Sequence, residues 1–152
     1  MKFGQSALRV KLVVDTNVLV SGTLWDGPSA RLLEAMEVGR FKLVISAELL
    51  GEYAEVIARE KFARRISALR ITERALVLHL ARHAEIISGA TVPPPPDLRD
   101  PKDMIVLAAA GGSVDAIVTG DDDLLCLKLF RGIPIVKVQD ALQLLGISSQ
   151  QI

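Results

Sequence analysis

Acidic side chains in this sequence stand where carboxylates can do chemistry. Asp15 ends the apolar run Val10–Val14 in the stretch VVDTNVLVSG, where an aspartate, a threonine and an asparagine interrupt a hydrophobic segment that then resumes. Asp121 follows DAIVTG and opens the run GDDDLL, with Asp123 two residues on. Asp100 and Asp103 lie in RDPKDMIVLAAAGG, and Glu52 is the middle one of three acids in ISAELLGEYAEV. Each has an ordinary reading as well. An aspartate after a strand can close a turn or cap a helix by accepting from backbone amides, which serves for Asp15 alone as well as a site does. Capping explains one member of the run Asp121–Asp123 and leaves the others over. Asp100 before Pro101 matches an N-cap followed by proline at the first helical position. Asp103 then falls on the first turn, where the helix dipole favours an anion. Because Met104–Ala110 is apolar on every face, that helix must be buried on most sides. Asp103 at its mouth is thus the better site candidate, with Asp100 as its cap or support. On the helix beginning at Ala47, the residues Leu49, Leu50, Tyr53, Val56 and Ile57 form the apolar stripe. At ~100° per residue Glu52 borders that stripe, whereas Glu48 and Glu55 point toward solvent.

If Asp15, Glu52, Asp103 and Asp121 converge, with Asp123 beside them, the gathering is costly: two carboxylates ~4 Å apart repel by ~4 kcal/mol at an effective dielectric near 20. Either some of them hold protons or a hard cation neutralises them. Oxygen ligands without histidine or cysteine suit Mg²⁺ or Mn²⁺ better than zinc. Such a centre fits phosphodiester hydrolysis, in which metal ions activate water, orient the scissile phosphate and stabilise the leaving oxygen. Thr16, Asn17, Ser46 and Thr119 could supply neutral hydrogen bonds to the acids or to waters.

The elements that must position these groups read as alternating strands and helices. Val10–Val14 and FKLVIS are short buried strands, and DAIVTG and IPIVKV two more. Helices are expected from Pro28 through PSARLLEAMEVG, from about Ala47 to Ala58 behind a Ser46 cap, and through the more polar REKFARRISALR. Further helices are expected from Thr72 through ERALVLHLARHAEII, in DPKDMIVLAAAGG, briefly in DDDLLCLKLF, and in QDALQLLG. Pro93–Pro96 is a stiff surface connector. Strands and helices in this order imply α/β layers around a mainly parallel sheet, with ligands bound beyond the carboxyl ends of the strands. Asp15 and Asp121 both project from that edge.

The segments VVDTNVLVSG, ISAELLGEYAEVIAR, RDPKDMIVLAAA and IVTGDDDLL, in that order, resemble the PIN-domain nucleases, in particular the VapC-like toxin branch of type II toxin–antitoxin pairs. The resemblance covers about Leu12 to Leu145. It implies a three-layer α/β/α fold with a central, mainly parallel sheet of four or five strands. It also implies Mg²⁺- or Mn²⁺-dependent cleavage of RNA, frequent homodimers, and a small antitoxin protein that blocks the site. The family's acids carry over to Asp15, Glu52, Asp103 and Asp121, with Asp123 as the further acid some members use. Lys102 interrupts the longer acidic run that relatives of this branch often carry after the Asp-Pro pair, which leaves Asp100 as the rival of Asp103. The family also includes RNA-processing nucleases and members without activity. A noncatalytic module that binds a partner or RNA on the same fold is therefore the alternative.

Composition agrees with one domain, residues 10–152, behind a loose extension at residues 1–9. The net charge of zero means that a nucleic acid would be met by a local patch and not by the overall field. Arg59, Lys61, Arg64, Arg65 and Arg70 form such a patch in REKFARRISALR. They read as a solvated helix surface or as an RNA-backbone track, with Arg59, Arg64 and Arg65 as the contacts. The single cysteine, Cys126, excludes an intramolecular disulfide, and no stretch approaches the ~18 apolar residues of a membrane span, so the expectation is a cytoplasmic protein. His79 and His83 are spaced to chelate, but no acid of the metalloprotease type lies between them, and exposed helix histidines are expected. Trp25 reads equally as a partner anchor and as loop packing. A haloacid-dehalogenase-type phosphotransfer domain would need a second aspartate where Asn17 stands, and the acids do not match a phosphorylated receiver domain.

Overall fold

The computed structural model describes residues 9–88, 93–111 and 113–147. The chain enters through β1 (Lys11–Val14), which lies within a sheet of order β3-β2-β1-β4-β6-β5. Leu12, Val13 and Val14 are all fully buried, as a strand of a parallel sheet covered on both faces requires. β2 (Lys42–Ser46) and β4 (Ala116–Val118) flank β1 in parallel, and β3 (Ala84–Ile87) and β6 (Ile133–Val136) extend the parallel sheet on either side. β5 (Leu129–Phe130) adds a two-residue antiparallel edge. The five parallel strands meet the expectation of a four- or five-stranded sheet, and β5 is a sixth strand that the sequence reading did not contain.

Helices flank the sheet. α1 (Thr16–Leu24) follows β1 directly and packs on α2 (Pro28–Glu37) and α3 (Ala47–Ile57). α1 has no helix in the sequence reading, for a physical reason: TNVLVSGTL is rich in β-branched residues and contains glycine, both poor helix formers. Five of its nine residues are buried, so packing supplies what propensity withholds. Gly22 lets α1 approach α2 closely, because a Cβ there would stand 2.5 Å from the Ser29 carbonyl oxygen and 2.9 Å from the Leu33 side chain. α3 starts where expected, with Ser46 Oγ accepting from the Leu49 amide at 3.0 Å.

Four boundaries differ from the sequence reading. REKFARRISALR is divided into a 3₁₀ turn at Glu60–Phe62 and a short helix α4 (Ala63–Ala68). The helix opened by Thr72, α5 (Glu73–His83), stops at His83, and Ala84–Ile87 pairs with β2 as the edge strand β3. No glycine or proline marks that boundary, so only strand pairing decides it. DPKDMIVLAAAGG begins as a 3₁₀ turn at Pro101–Asp103 before α6 (Met104–Ala109). DDDLLCLKLF forms the four-residue α7 (Asp122–Leu125) and then β5. α8 (Val138–Leu144) closes the described chain. The prolines Pro93–Pro96 lead into a turn in which the Leu98 amide donates to the Pro95 carbonyl, and residues 1–8 of the expected extension lie outside the described residues. Among the described residues no helix is long and apolar enough to cross a membrane.

The close approach at Gly22 gives a stability test. Gly22→Ala is expected to destabilise the fold by about 1–3 kcal/mol through overpacking. Gly51→Ala, on α3 with nothing within 4 Å of the added Cβ, should gain about 0.5–1 kcal/mol. Urea unfolding of both variants checks the pair, and equal midpoints would contradict this account of the α1–α2 contact.

Candidate functional site

The sheet has one point where its connectivity reverses. From β1 the chain proceeds outward to β2 and β3, then returns to lay β4 on the other side of β1. A crevice beyond the carboxyl ends of such strands is where α/β sheets bind ligands. The register aligns Val14 with Val118, so Asp15 and Thr119 are the next residues on adjacent strands. The Asp15 amide donates to the Val118 carbonyl at 2.9 Å, and Thr119 Oγ1 donates to Asp15 Oδ2 at 2.7 Å. Although Asp15 occupies the N-cap position of α1, its side chain makes no capping hydrogen bond. Its carboxylate faces the neighbouring strand end instead.

The remaining acids come from three other elements. Glu52, half-buried on α3, accepts from the Thr16 hydroxyl at the start of α1. Asp100 caps the 3₁₀ turn by accepting from the Lys102 amide at 3.0 Å, which leaves Asp103 buried at the entry to α6. Asp121 caps α7 by accepting from the Asp123 amide at 2.9 Å, and its own amide donates to Thr119 Oγ1 at 3.0 Å. Asp103, Asp121 and Asp123 each offer a carboxylate oxygen, all within 4.8 Å of one another. Asp15 and Glu52 stand outside that triad but within electrostatic reach of it: Glu52 and Asp121 both act on Asp15, and Asp15 acts on Asp103. Asp123, which the sequence ranked as an accessory, is as close to the centre as Asp103 and Asp121.

Burial and like charge shift Asp15 and Asp103 in the same direction. Asp15 is raised above the ordinary aspartate value chiefly by desolvation, with smaller contributions from the Glu52 and Asp121 charges. The Thr119 hydroxyl and the Thr16 amide oppose the rise. Asp103 is pushed up to about 7, first by desolvation, then by Asp121, and further by Asp100 and Asp15. Its Oδ2 is buried without any hydrogen-bond partner. A buried carboxylate oxygen left bare, on a residue whose carboxylate stands within 4.8 Å of two others, lacks a donor or a cation. These residues therefore fit a hard divalent ion, which all-oxygen ligands favour.

Residues 11–123, about three quarters of the chain, match the family described as PIN domain. The chain belongs to the PIN-domain family. PIN domains are generally metal-dependent nucleases that act on RNA or DNA. The fold is also similar to the crystal structure of the protein PAE2754 from Pyrobaculum aerophilum, with a TM-score of 0.53 and 18% identity over 90% of each chain. No curated protein matches the sequence.

This PIN domain has two different surfaces, of which only the first borders the acids. A polar trough of about 640 Å³ is lined by Asn17, Ser21, Ser29 and Gly120–Asp123, with Val18 and Val138. A separate cleft of about 610 Å³ is lined by α1, α2 and α5 and gathers the exposed apolar side chains of Trp25, Leu69, Ile71 and Leu78. Trp25 also packs edge-on against Phe62, with ring centroids 5.7 Å apart. Arg59 and Arg64 are exposed. Arg65 lines the apolar cleft and donates from Nε to the Leu24 carbonyl that ends α1. His79 pairs with Glu37 at 2.6 Å and stacks edge-on with His83; among the described residues they form no metal-ligand group. The sequence reading passed over Arg99, whose Nη1 lies 3.5 Å from Asp123 Oδ1. Its only signal was a cation placed directly before the Asp-Pro pair.

The raised carboxylates give the metal-free PIN domain a signed pH dependence. Between about pH 4 and 7 the folded chain retains a proton on Asp103 that the unfolded chain, with a value near 3.8, has lost. Stability from this group is thus complete below about pH 4, is lost progressively as pH rises to about 7, and changes no further above that. Asp103→Asn is expected to flatten the fall in Tm between about pH 4 and 7 in chelator-treated protein. Added Mg²⁺ or Mn²⁺ should raise Tm at the upper end of that range more in the wild type than in the variant. Parallel profiles for the two proteins would contradict the assignment.

Proposed function

We propose that this PIN domain is a Mg²⁺- or Mn²⁺-dependent endoribonuclease, with Asp15, Glu52, Asp103, Asp121 and Asp123 holding the ion or ions directly or through water. The observation that carries the reading is the buried, unpartnered Oδ2 of Asp103 within a triad of carboxylates at the switch point of the sheet. A divalent ion held by these carboxylates would supply the charge that neutralises them and the water activation that phosphodiester hydrolysis needs. The chain's own groups fix the arrangement. Thr119 orients Asp15 and tethers the Asp121 amide. Thr16 orients Glu52, and Asp100 shapes the turn that presents Asp103. The trough beside Asp121 and Asp123, open and lined by Asn17, Ser21 and Ser29, suits an extended strand next to the scissile phosphate. RNA as the substrate is carried by the resemblance to the toxin branch.

The toxin role extends this reading. It adds a small antitoxin protein as partner and a homodimer as the working assembly, in the cytoplasm. The apolar cleft bordered by Trp25, Leu69, Ile71 and Leu78 supports a protein partner, because contiguous exposed apolar surface of this kind marks interaction sites.

Cleavage of single-stranded RNA by the purified protein is the test. Activity should require Mg²⁺ or Mn²⁺ and vanish with chelator. Asp15→Asn and Asp121→Asn should each lower the rate by about 10²–10³-fold, while circular dichroism shows an unchanged fold. Metal-independent cleavage, or metal-dependent cleavage that survives both substitutions, would overturn the assignment. Absence of cleavage with an intact fold would favour the noncatalytic binding module.

A further inference from the structure

The acids pose a problem for any nucleic-acid substrate, since the strand must bring its phosphates to the most negative part of the surface. Among the described residues there are three ion pairs, Lys11–Glu85, His79–Glu37 and Arg99–Asp123, and only the last reaches the acidic triad. Arg99 lies in the connector just before the Asp100 cap. Its side chain is 67% exposed, against 38% for Asp123, and the separation is 3.5 Å. An exposed pair at that distance contributes little to stability, so holding the fold together does not account for it. Asp123 both lines the polar trough and takes Arg99 on its carboxylate. The acids are therefore bordered by neutral hydrogen-bonding groups in the trough and by an exposed guanidinium at Asp123. A planar fork of N–H donors matches a phosphate and is more weakly hydrated than an ammonium group.

We propose that Arg99 is a substrate-binding residue of this site: its guanidinium grips a backbone phosphate adjacent to the scissile one and so holds the strand across Asp121 and Asp123. This rests on the nuclease reading above and adds the group that makes an acidic site accept a polyanion. Asp123 keeps the guanidinium over the site until the strand arrives. The phosphate then replaces Asp123 as its partner, which frees that carboxylate for its role in the acidic cluster. Lysine at this position keeps the charge and loses the fork.

The experiment has two readouts. In steady-state cleavage with Mg²⁺, Arg99→Gln should raise KM about tenfold, with the loss concentrated in KM and not in kcat. Arg99→Lys should recover part of it. Binding of a labelled single-stranded RNA is then followed by anisotropy with Ca²⁺ in place of Mg²⁺, over a range of salt. One lost phosphate contact lowers the slope of log K against log salt by about 0.7 in Arg99→Gln. Arg82→Gln, on the rim of the apolar cleft, should leave that slope unchanged. An unaltered slope and KM in Arg99→Gln, or an effect confined to tighter divalent binding with RNA affinity intact, overturns the proposal even if the wild type is a nuclease. A wild type that binds RNA without cleaving it removes the nuclease reading, and the salt slope still decides Arg99. A wild type that does not bind RNA removes both.

Discussion

The crowding of carboxylates at the ends of β1 and β4 is the constraint around which the rest of the molecule is arranged. Each parallel strand is only three to five residues long, too short to do more than deliver its last residues to one edge. What fixes that edge is the fully buried centre: Leu12–Val14 and Ala116–Val118 have no solvent exposure, so a slip of one residue in their pairing would expose part of the core. The register that this burial enforces places Thr119 beside Asp15. Hydrophobic burial offsets the electrostatic cost of the acids, and the Thr119 and Thr16 hydroxyls with the Thr16 amide relieve part of it. The bare oxygen of Asp103 marks where protein groups alone leave the arrangement incomplete.

Capping and chemistry turn out not to be alternatives. Asp121 accepts from the Asp123 amide as an ordinary helix cap, and the same geometry turns Asp121 and Asp123 toward Asp103. Asp100 does the backbone work at the 3₁₀ turn, and in doing so it releases Asp103 for the interior. Asp15 is the opposite case, a residue at a cap position whose side chain makes no capping hydrogen bond. The frequency with which aspartate ends strands therefore says little about function; which partner its oxygens find says much more. On α3, Glu52 finds the Thr16 hydroxyl while Glu48 and Glu55 face solvent, a difference that helical periodicity alone predicts.

Where local chemistry specified the structure, the sequence was readable. Ser46, Thr72, Pro28 and Asp100 each announce a helix or turn boundary through a capping or proline rule, and each boundary lies there. The capping role of Asp100 was readable for the same reason, whereas the sequence left Asp100 and Asp103 as rivals for the site. What sequence missed depends on distant partners. α1 is a helix because both sides of a β-branched segment are covered, and β3 is a strand because β2 offers an edge in register with AEII. Nothing within either segment signals this. The closeness of Asp123 to Asp103 and the reach of Arg99 to Asp123 are likewise products of folding, because residues some twenty positions apart meet only once the sheet brings the connector and β4 together. Arg65, equal to Arg59 and Arg64 by composition, is set apart only by its hydrogen bond to the end of α1.

The sign of the charge along the surface follows from the same architecture. A protein of zero net charge exerts no long-range pull on a polyanion, so any attraction has to be generated locally. The polar trough is lined by the neutral hydrogen-bonding side chains of Asn17, Ser21 and Ser29 and by no cation, and neutral donors of that kind would position a strand more than attract it. The acids themselves repel it. With a divalent ion bound, the same cluster would change from a repulsive surface to an attractive one, so that substrate binding and metal binding become linked and each strengthens the other. An isolated basic track elsewhere on the surface could recruit a strand without metal; a carboxylate cluster bordered by neutral groups and one guanidinium does so efficiently only after its charge has been neutralised. The spacing of acids that makes the metal-free protein electrostatically strained is thus also what would keep its surface from holding nucleic acid until the site is complete.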